Sequence, residues 1–213
     1  MAALLYITAH PLGPDVSCSM AAGEAFLAAY RDANPNDEVI RLDLYAMDIP
    51  ELDADVFSGW GKLGSGADFG ELTAAEQSKI ARINELADQF AAADKYVFVT
   101  PIWNYSYPPA LKRYIDAFVI AGKTFRYIPD VGRVGLLAGR KALHIQASGS
   151  FLSPGSPDER LEMGHRHLRV IMEFVGITDV ECLYVEGMRA VPERAAAIRE
   201  EALRRAREIA LSF

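Results

Sequence analysis

The stretch Tyr96–Phe118, YVFVTPIWNYSYPPALKRYIDAF, places an apolar strand, an aromatic loop and a helix in direct succession. Tyr96–Thr100 is a continuous apolar run, which is typical of a central parallel strand covered on both faces. Pro109–Gly122 has helical spacing and gathers its large apolar residues on one face: Leu111, Tyr114, Ile115 and Phe118. A strand that leads through a loop into a helix is the repeating unit of proteins built on a parallel sheet.

The same unit recurs on both sides of this stretch. The predicted strands are Ala2–Thr8, Glu38–Leu44, Tyr96–Thr100, Lys141–Ala147 and Val180–Val185. The predicted helices are Ser17–Ala29, one opened by a Thr73–Glu76 capping box, Pro109–Gly122, Glu159–Val175 with Gly176 at its end, and Pro192–Leu211. Asp48–Gly70 is expected to be irregular. This order predicts an α/β fold, a flavodoxin-like doubly wound five-stranded parallel sheet of strand order 2-1-3-4-5 with helices on both faces.

Bulk properties narrow the class of protein. The 213 residues suit one domain, 1–213, and the net charge of −7 without a basic stripe argues against nucleic acid as a partner. The two cysteines, Cys18 and Cys182, form no C-x-x-C, so neither a disulfide framework nor a zinc signature is indicated. No signal peptide and no apolar stretch of bilayer length is recognisable. We therefore expect a cytoplasmic protein without a membrane partner.

Ligands of such sheets bind beyond the carboxyl ends of the strands, near the point where the strand order reverses. Three loops should meet there, His10–Ser19, Pro101–Pro109 and Ala147–Pro157. The first ends in Ser17-Cys18-Ser19 where a helix begins, and free N–H groups at a helix start suit a phosphate. Ser17 could equally serve only as the helix cap. The chain lacks the glycine-rich motifs of dinucleotide sites and ATPases, which favours a mononucleotide.

The second and third loops complete a candidate flavin site. Trp103, Tyr105 and Tyr107 could stack on a flat ring and Asn104 could bond its edge, although these aromatics could also be ordinary core. In the third loop, Gly149 lets the backbone approach a ligand, although a plain turn would use it too. Together the three loops describe a site for flavin mononucleotide (FMN). Lys and Arg are sparse in them, so neutral donors are expected to hold the phosphate.

With these motifs the chain resembles the FMN-dependent NADH azoreductases, which are flavodoxin-like NAD(P)H:quinone oxidoreductases. The resemblance covers essentially the whole chain. Its strongest parts are PIWNYSYPPALKRYIDAFVIAGKTFRY (Pro101–Tyr127), GLLAGRKAL before the fourth strand of the predicted sheet, and FVGITDVECLYVEG (Phe174–Gly187). The chain departs from the usual family pattern at four positions: His10 for Ser, Cys18 for Gln, Tyr105 for Phe, and Ser150 for the second Gly of a Gly-Gly pair.

The resemblance implies a role for each loop and a partner. Ser17, Cys18 and Ser19 would hold the FMN phosphate, with His10 nearby. The residues lining the isoalloxazine would be Ile102, Trp103, Asn104 and Tyr105, and those contacting its pyrimidine edge would be Ala147, Ser148, Gly149 and Ser150. The protein would be a homodimer, in which Tyr127 and Phe174 reach the partner's flavin and shape the substrate pocket.

The implied reaction is a ping-pong hydride transfer from NADH or NADPH to FMN, followed by two-electron reduction of a quinone or an azo compound. FMN carries the chemistry, so no catalytic side chain is expected. Three alternatives stay open at this point: a flavodoxin-type electron carrier, an NAD(P)H:FMN reductase and, less favoured, a hydrolase. The last lacks a G-x-S-x-G motif.

Three further motifs have less specific interpretations. His165 and His167 are two apart on a predicted helix and point to different faces, so we expect no metal there and a solvated helix face instead. Gly64-Ser65-Gly66 does not follow a strand and is interpreted as a surface loop. Cys18 could be a reactive thiol at a helix start, but the same position serves phosphate binding.

Overall fold

The computed structural model describes residues 1–213 and contains the predicted parallel sheet. Its five strands are β1 (Ala3–Thr8), β2 (Glu38–Asp43), β3 (Lys95–Pro101), β6 (Lys141–Ala147) and β7 (Asp179–Val185), and a separate hairpin is formed by β4 (Phe125–Ile128) and β5 (Gly132–Gly135). The order β2-β1-β3-β6-β7, parallel throughout, is the predicted order 2-1-3-4-5. The fold prediction is therefore confirmed.

Six α-helices cover the sheet on both faces. They are α1 (Cys18–Ala33), α2 (Ala54–Gly64), α3 (Ala74–Ala92), α4 (Pro109–Phe118), α5 (Gly164–Val175) and α6 (Ala195–Ser212). Strand β1 supplies Leu5 and Ile7 to a core with α3, α4 and α5, and Leu4 and Tyr6 to a second core with α1 and α6. This alternation with a period of two is what gives a central strand two buried faces.

Local signals set most helix boundaries as predicted. Ser17 caps α1 by accepting the N–H of Met20, Thr73 and Glu76 form the capping box of α3, and Gly176 ends α5 in a left-handed conformation at φ 103°. A 3₁₀ turn at Pro192–Arg194 leads into α6. No helix combines the length and apolar character needed to cross a membrane.

Three predicted segments are wrong in detail. Asp48–Gly70 is not wholly irregular, because Asp53 caps α2 by accepting the N–H of Val56 at 3.2 Å. Helix α4 ends at Phe118 instead of Gly122, since the Thr124 hydroxyl donates to the Phe118 carbonyl at 2.9 Å and accepts the N–H of Ile120. The polypeptide then turns into the β4–β5 hairpin, which the sequence analysis missed.

The predicted helix Glu159–Val175 is divided in two. A 3₁₀ turn covers Glu159–Leu161, and α5 begins only at Gly164. The buried carboxylate of Glu162 accepts the N–H groups of His165 and Arg166 at 2.7 and 3.0 Å, which caps the new helix start. The Gly64–Gly66 segment is exposed, as expected, although Gly64 still belongs to α2.

Candidate functional site

A cavity of about 710 Å³ lies at the carboxyl edge of the sheet, a volume in the usual range of cofactor sites. The loops after β1, β3 and β6 line it, and so does the loop after β7. The lining residues are His10, Val16, Ser17, Cys18, Pro101, Ile102, Trp103, Asn104, Tyr105, Ala147, Ser148, Gly149, Ser150, Leu152, Met188 and Arg189. The three loops expected to meet therefore do meet, and the predicted cofactor residues line the cavity except Ser19.

The start of α1 offers an anion site on the cavity wall. Ser17 both caps the helix and lines the cavity, so a role as helix cap is compatible with a role in phosphate binding. The N–H groups of Cys18 and Ser19 donate to no protein acceptor, and the first turn of α1 carries no acidic residue. The Ser19 side chain is fully buried and lies 3.1 Å from the Ser17 hydroxyl, so it orients Ser17 while its N–H faces outward from the helix start.

His10 sits beside this helix start in a defined orientation. Its Nδ1 lies 2.9 Å from the backbone nitrogen and 3.1 Å from the carbonyl oxygen of Leu12, so the ring is held against its own loop. The ring packs edge-on against Trp103 with centroids 5.9 Å apart. His10 thus links the first loop to the second.

The second loop forms a tight two-residue turn. Trp103 and Ser106 exchange both backbone hydrogen bonds, at 2.7 and 3.1 Å, and the residues between them, Asn104 and Tyr105, have φ values of 50° and 68°. Positive φ at both central residues is characteristic of a type I′ turn. The N–H groups of Asn104 and Tyr105 donate to no protein acceptor. The turn therefore presents two backbone donors and two side chains to the cavity.

Neighbouring elements hold this turn in place. The N–H of Ile102 donates to the carbonyl of Ala147 at 2.7 Å, and the N–H of Met163 donates to the carbonyl of Tyr105 at 3.0 Å. The hydroxyl of Tyr107 bonds Nδ1 of His167 on α5. Tyr107 is buried, so it belongs to the core and not to the ring-binding surface.

The two histidines of α5 do not form the expected solvated face. His165 is only 9% exposed and packs beside His144, and His167 bonds Tyr107. Helix α5 packs on β6 and β7, and the local sequence does not predict this packing. The argument that both histidines cannot bind one ion still holds, since they contact different neighbours.

The third loop brings small residues to the opposite wall. Ser148 donates its hydroxyl to the carbonyl of Ser150 at 2.6 Å, which folds the loop back on itself. The N–H groups of Gly149 and Ser150 have no protein acceptor. A Cβ at Gly149 would lie 3.1–3.2 Å from the side chain of Arg189, so glycine permits close packing of the loop after β7.

Sequence reasoning missed the contribution of this last loop. Met188 and Arg189 line the cavity, and the N–H of Arg189 donates to the carbonyl of Gly149 at 3.0 Å. Arg199 on α6 also approaches the first loop, with its guanidinium 3.9 Å from the sulfur of Cys18 and bonded to the carbonyl of Pro14. Arg199 is therefore a cation close to the helix start that the sequence analysis did not anticipate, although it does not line the cavity. Gly187, two residues after the end of β7 and with φ 85°, was the one available signal.

Tyr127 and Phe174 lie outside the cavity of the single chain. Both pack against Phe125 of the β4–β5 hairpin, whose ring centroid lies 4.8 Å from that of Phe174 and 5.7 Å from that of Tyr127. The guanidinium of Arg133 covers the Phe174 ring at 4.2 Å, and Tyr127 is 71% exposed. These residues form an exposed aromatic surface, which we call the hairpin surface (Phe125, Tyr127, Arg133 and Phe174).

The cavity has the chemistry of a flavin mononucleotide site. The helix start on its wall carries unpaired N–H groups, which suit a phosphate. The turn and the third loop carry four more, at Asn104, Tyr105, Gly149 and Ser150, which suit the carbonyl and nitrogen acceptors of the isoalloxazine. Trp103 and Tyr105, 40% and 53% exposed, supply aromatic surface between them.

Comparison with known proteins agrees with this geometry. The family model of the flavodoxin-like fold matches residues 2–210. The FMN-dependent NADH:quinone oxidoreductase of Geobacillus kaustophilus is 56% identical over 213 residues, and that of Bacillus velezensis is 54% identical, each with 100% of both chains aligned.

Solved structures give the same result. A crystal structure of azoreductase from Bacillus anthracis superposes with a TM-score of 0.91 at 37% identity and 100% coverage of both chains. An FMN-dependent NADH-azoreductase of the same species, in complex with FMN, superposes with a TM-score of 0.86 at 33% identity, covering 99% of this chain and 100% of its own. The chain therefore belongs to the family of FMN-dependent NADH:quinone oxidoreductases and azoreductases with the flavodoxin-like fold.

Proposed function

We propose that this protein is an FMN-dependent NAD(P)H oxidoreductase that reduces quinones and azo compounds. The observation that carries the proposal is the single cavity in which an anion-binding helix start faces a turn and a loop with unpaired N–H groups. The names of relatives that are 54% and 56% identical over their full length support the reaction and the cofactor.

Each wall of the cavity has a part in holding the cofactor. Ser17 and the N–H groups of Cys18 and Ser19 bind the phosphate, with His10 beside them. The turn residues that lie along the isoalloxazine are Ile102, Trp103, Asn104 and Tyr105. The residues that contact its pyrimidine edge are Ala147, Ser148, Gly149 and Ser150. Arg189 adds a cation to the same wall.

Bound FMN supplies the redox chemistry, because it accepts a hydride and passes two electrons on. The protein needs no acid or base of its own for this. Its N–H groups at Asn104, Tyr105, Gly149 and Ser150 are fixed donors that stabilise negative charge on a reduced ring. NADH or NADPH and then the acceptor occupy the same cavity in turn, which gives ping-pong kinetics.

The wider setting of the enzyme is also proposed. The hairpin surface is exposed and aromatic, which supports a homodimer in which Tyr127 and Phe174 complete the partner's substrate pocket. Residues 1–213 form one FMN-binding domain around the shared sheet. Two free cysteines, Cys18 and Cys182, support a reducing cytoplasm as its location.

The decisive experiment uses the purified chain reconstituted with FMN. We expect a flavin absorption spectrum, oxidation of NADH or NADPH that depends on a quinone or an azo dye, and parallel lines in double-reciprocal plots. A protein that binds FMN but oxidises neither nucleotide would be an electron carrier instead. Release of free reduced FMN during turnover would indicate an NAD(P)H:FMN reductase, and failure to bind FMN would refute the proposal altogether.

A further inference from the structure

A cluster of potential metal ligands lies under α5, away from the cavity. His144 on β6, His165 on α5 and Cys182 on β7 each direct one donor atom into a common space, and these atoms lie within 4.8 Å of one another. His144 and Cys182 are register partners on adjacent parallel strands, so their side chains stand side by side on the same face of the sheet. The rings of His144 and His165 stack with centroids 5.6 Å apart.

The histidines have unused hydrogen-bonding capacity in a buried place. His144 is fully buried and His165 is 9% exposed, yet Nδ1 of each ring has no hydrogen-bond partner. Nearly all buried polar atoms in proteins are paired, and one left unpaired costs about 1–3 kcal/mol. Two such atoms in a cluster with one thiol point to a shared partner that the protein chain itself does not supply.

His144 is oriented as metal-binding histidines are. Its Nε2 lies 2.9 Å from the hydroxyl of Thr100 on β3. When Nε2 donates to that hydroxyl, Nδ1 carries the lone pair and is free to bind an ion.

The surroundings suit a cation with one open coordination position. The carboxylate of Glu162, 4% exposed, caps α5 next to His165 and contributes negative charge. A second cavity of about 330 Å³ is lined by His165, Glu162 and Tyr184, among others, so it borders the cluster at His165. Gln146, two residues beyond His144 on β6, is buried with both amide atoms unpaired.

We propose that His144, His165 and Cys182 form a zinc site, with a water molecule from the second cavity as the fourth ligand. Two imidazole nitrogens and one thiolate match the nitrogen and sulfur preference of Zn²⁺. Bonds of about 2.0–2.3 Å bring tetrahedral donors to less than 4 Å apart, so the cluster closes by about 1 Å on binding. The thiol of Cys182 gives up its proton, and uptake of each Zn²⁺ releases one proton.

The sequence analysis expected no metal, because Cys18 and Cys182 form no C-x-x-C and because His165 and His167 are two apart on a helix. Those two residues do contact different neighbours, and His167 is engaged with Tyr107. The sheet brings His144 and Cys182 to His165 across 21 and 17 residues of sequence, a spacing that matches no local zinc motif. The zinc ion would tie α5 to β6 and β7, the elements that support the walls of the FMN site.

The test uses the FMN-loaded protein after removal of metals with a chelator. Co²⁺ serves as the probe, because tetrahedral sulfur-ligated cobalt absorbs at wavelengths beyond those of oxidised flavin. We expect one Co²⁺ per chain, displacement by Zn²⁺, and a rise in the unfolding temperature with Zn²⁺ concentration. Cys182→Ser and, independently, His165→Gln should each weaken binding by more than about 100-fold.

Matched controls lie on the same elements or have the same chemistry. Cys18→Ser removes the other cysteine, and His167→Gln removes the other histidine of α5, and both should retain stoichiometric Co²⁺ binding. The proposal is wrong if the wild type takes up no Co²⁺ or Zn²⁺, which would mean that water satisfies the buried nitrogens. It is also wrong if Co²⁺ binding survives both Cys182→Ser and His165→Gln.

Discussion

Two adjacent residues of the second loop, Asn104 and Tyr105, have left-handed backbone conformations although neither is glycine. Asn tolerates this region, because its short side chain can bond the local backbone, whereas a Tyr there costs about 1–2 kcal/mol. Such strain persists only where the surroundings enforce it, and it concentrates at functional sites. The hydrogen bond from Met163 to the Tyr105 carbonyl is one of the contacts that enforce it.

Replacing Tyr105 with Gly should therefore stabilise the fold while weakening the site. Gly adopts φ 68° without strain, and after allowance for its greater freedom in the unfolded chain the gain is about 0.5–1 kcal/mol. The aromatic ring beside the proposed isoalloxazine is lost, so FMN should bind more weakly. Thermal unfolding of the FMN-free protein and fluorescence titration with FMN measure the two effects separately.

Asp130 provides the matched control for that substitution, because it has φ 61° in the β4–β5 hairpin and does not line the cavity. Asp130→Gly should gain less stability than Tyr105→Gly, because Asp tolerates this conformation, and should leave the affinity for FMN unchanged. Equal affinity for FMN in Tyr105→Gly and the wild type would show that the Tyr105 ring does not contact the cofactor.

Asn104 can be tested in a way that separates its side chain from its backbone. Asn104→Ala removes the amide and also strains the turn at φ 50°, whereas Asn104→Gly removes the amide alone. If the amide bonds the flavin, both variants should bind FMN about tenfold more weakly, as expected for one lost hydrogen bond. Weaker binding in the Ala variant alone would assign the role of Asn104 to the turn.

Among the elements, α2 and α3 are joined through one carboxylate. Glu76 accepts hydrogen bonds from Lys62 at 2.8 Å, from Ser58 at 2.7 Å and from the N–H of Thr73 at 2.8 Å. These hydrogen bonds, of which the one from Lys62 has the largest effect, lower the pKa of Glu76 from 4.5 to about 2. Because the folded-state pKa is depressed, this carboxylate stabilises the fold fully above pH 4.5 and loses its effect as the pH falls towards 2.

Glu76→Gln should consequently lower the unfolding temperature at pH 7, and the difference from the wild type should shrink below pH 4.5. Thermal unfolding of both proteins at several pH values measures this difference in unfolding temperature. Glu85→Gln on the same helix is the control, since Glu85 pairs with Arg82 at a site where its side chain is 65% exposed, and surface pairs contribute little. A pH-independent difference between Glu76→Gln and the wild type would contradict the assignment.

Helix α5 supports the second loop through close contact between Gly164 and Ile102. A Cβ at this position would lie 2.4 Å from Cδ1 of Ile102 and 2.7 Å from Oε1 of Gln146. Gly164→Ala should cost about 1–3 kcal/mol of stability by overpacking and displace Ile102, so FMN binding should weaken. Gly61→Ala on α2 is the control, because its Cβ meets nothing within 4 Å and it should stabilise by up to about 1 kcal/mol.

The elements that were predicted correctly are those with strong local signals. Strand β3 is continuous in apolar residues and α3 opens with a capping box, so neither needs tertiary information. The β4–β5 hairpin and the start of α5 depend on contacts across the fold. Thr124 ends α4 by donating its hydroxyl to the Phe118 carbonyl, and Glu162 caps the start of α5 by accepting the N–H of His165. Neither side chain is distinctive in the sequence.

At the scale of the whole molecule, the topology explains which parts of the site could be found in advance. Parallel strands end at one edge, so the loops after β1, β3 and β6 could be assigned to the cavity from strand order alone. The sequence analysis did not predict Arg189 as a lining residue, because Arg189 follows β7, an edge strand. Arg189 reaches the cavity only because the loop after β7 folds over Gly149. The cluster of His144, His165 and Cys182 was likewise invisible, since three separate elements contribute to it.

The hairpin surface raises the question of what covers it. Tyr127 is 71% exposed and Val131, at the turn of the same hairpin, is 69% exposed, whereas Phe125 and Phe174 pack beneath them. An exposed apolar surface of this kind is typical of a site that contacts another molecule. A second copy of the chain is the proposed partner, and Tyr127 and Phe174 would then complete its substrate pocket.

The wild-type protein should accordingly elute with twice the chain mass of 23.4 kDa in light-scattering chromatography. Tyr127→Asp buries a charge in the proposed interface, so it should shift the protein to the monomer and raise the KM for the quinone while the fold is retained. Leu211→Asp on α6, where the side chain is 70% exposed, changes a comparable apolar residue far from the hairpin in sequence and should leave the dimer intact. A Tyr127→Asp protein that remains dimeric with an unchanged KM would place the interface elsewhere and remove Tyr127 from the substrate pocket.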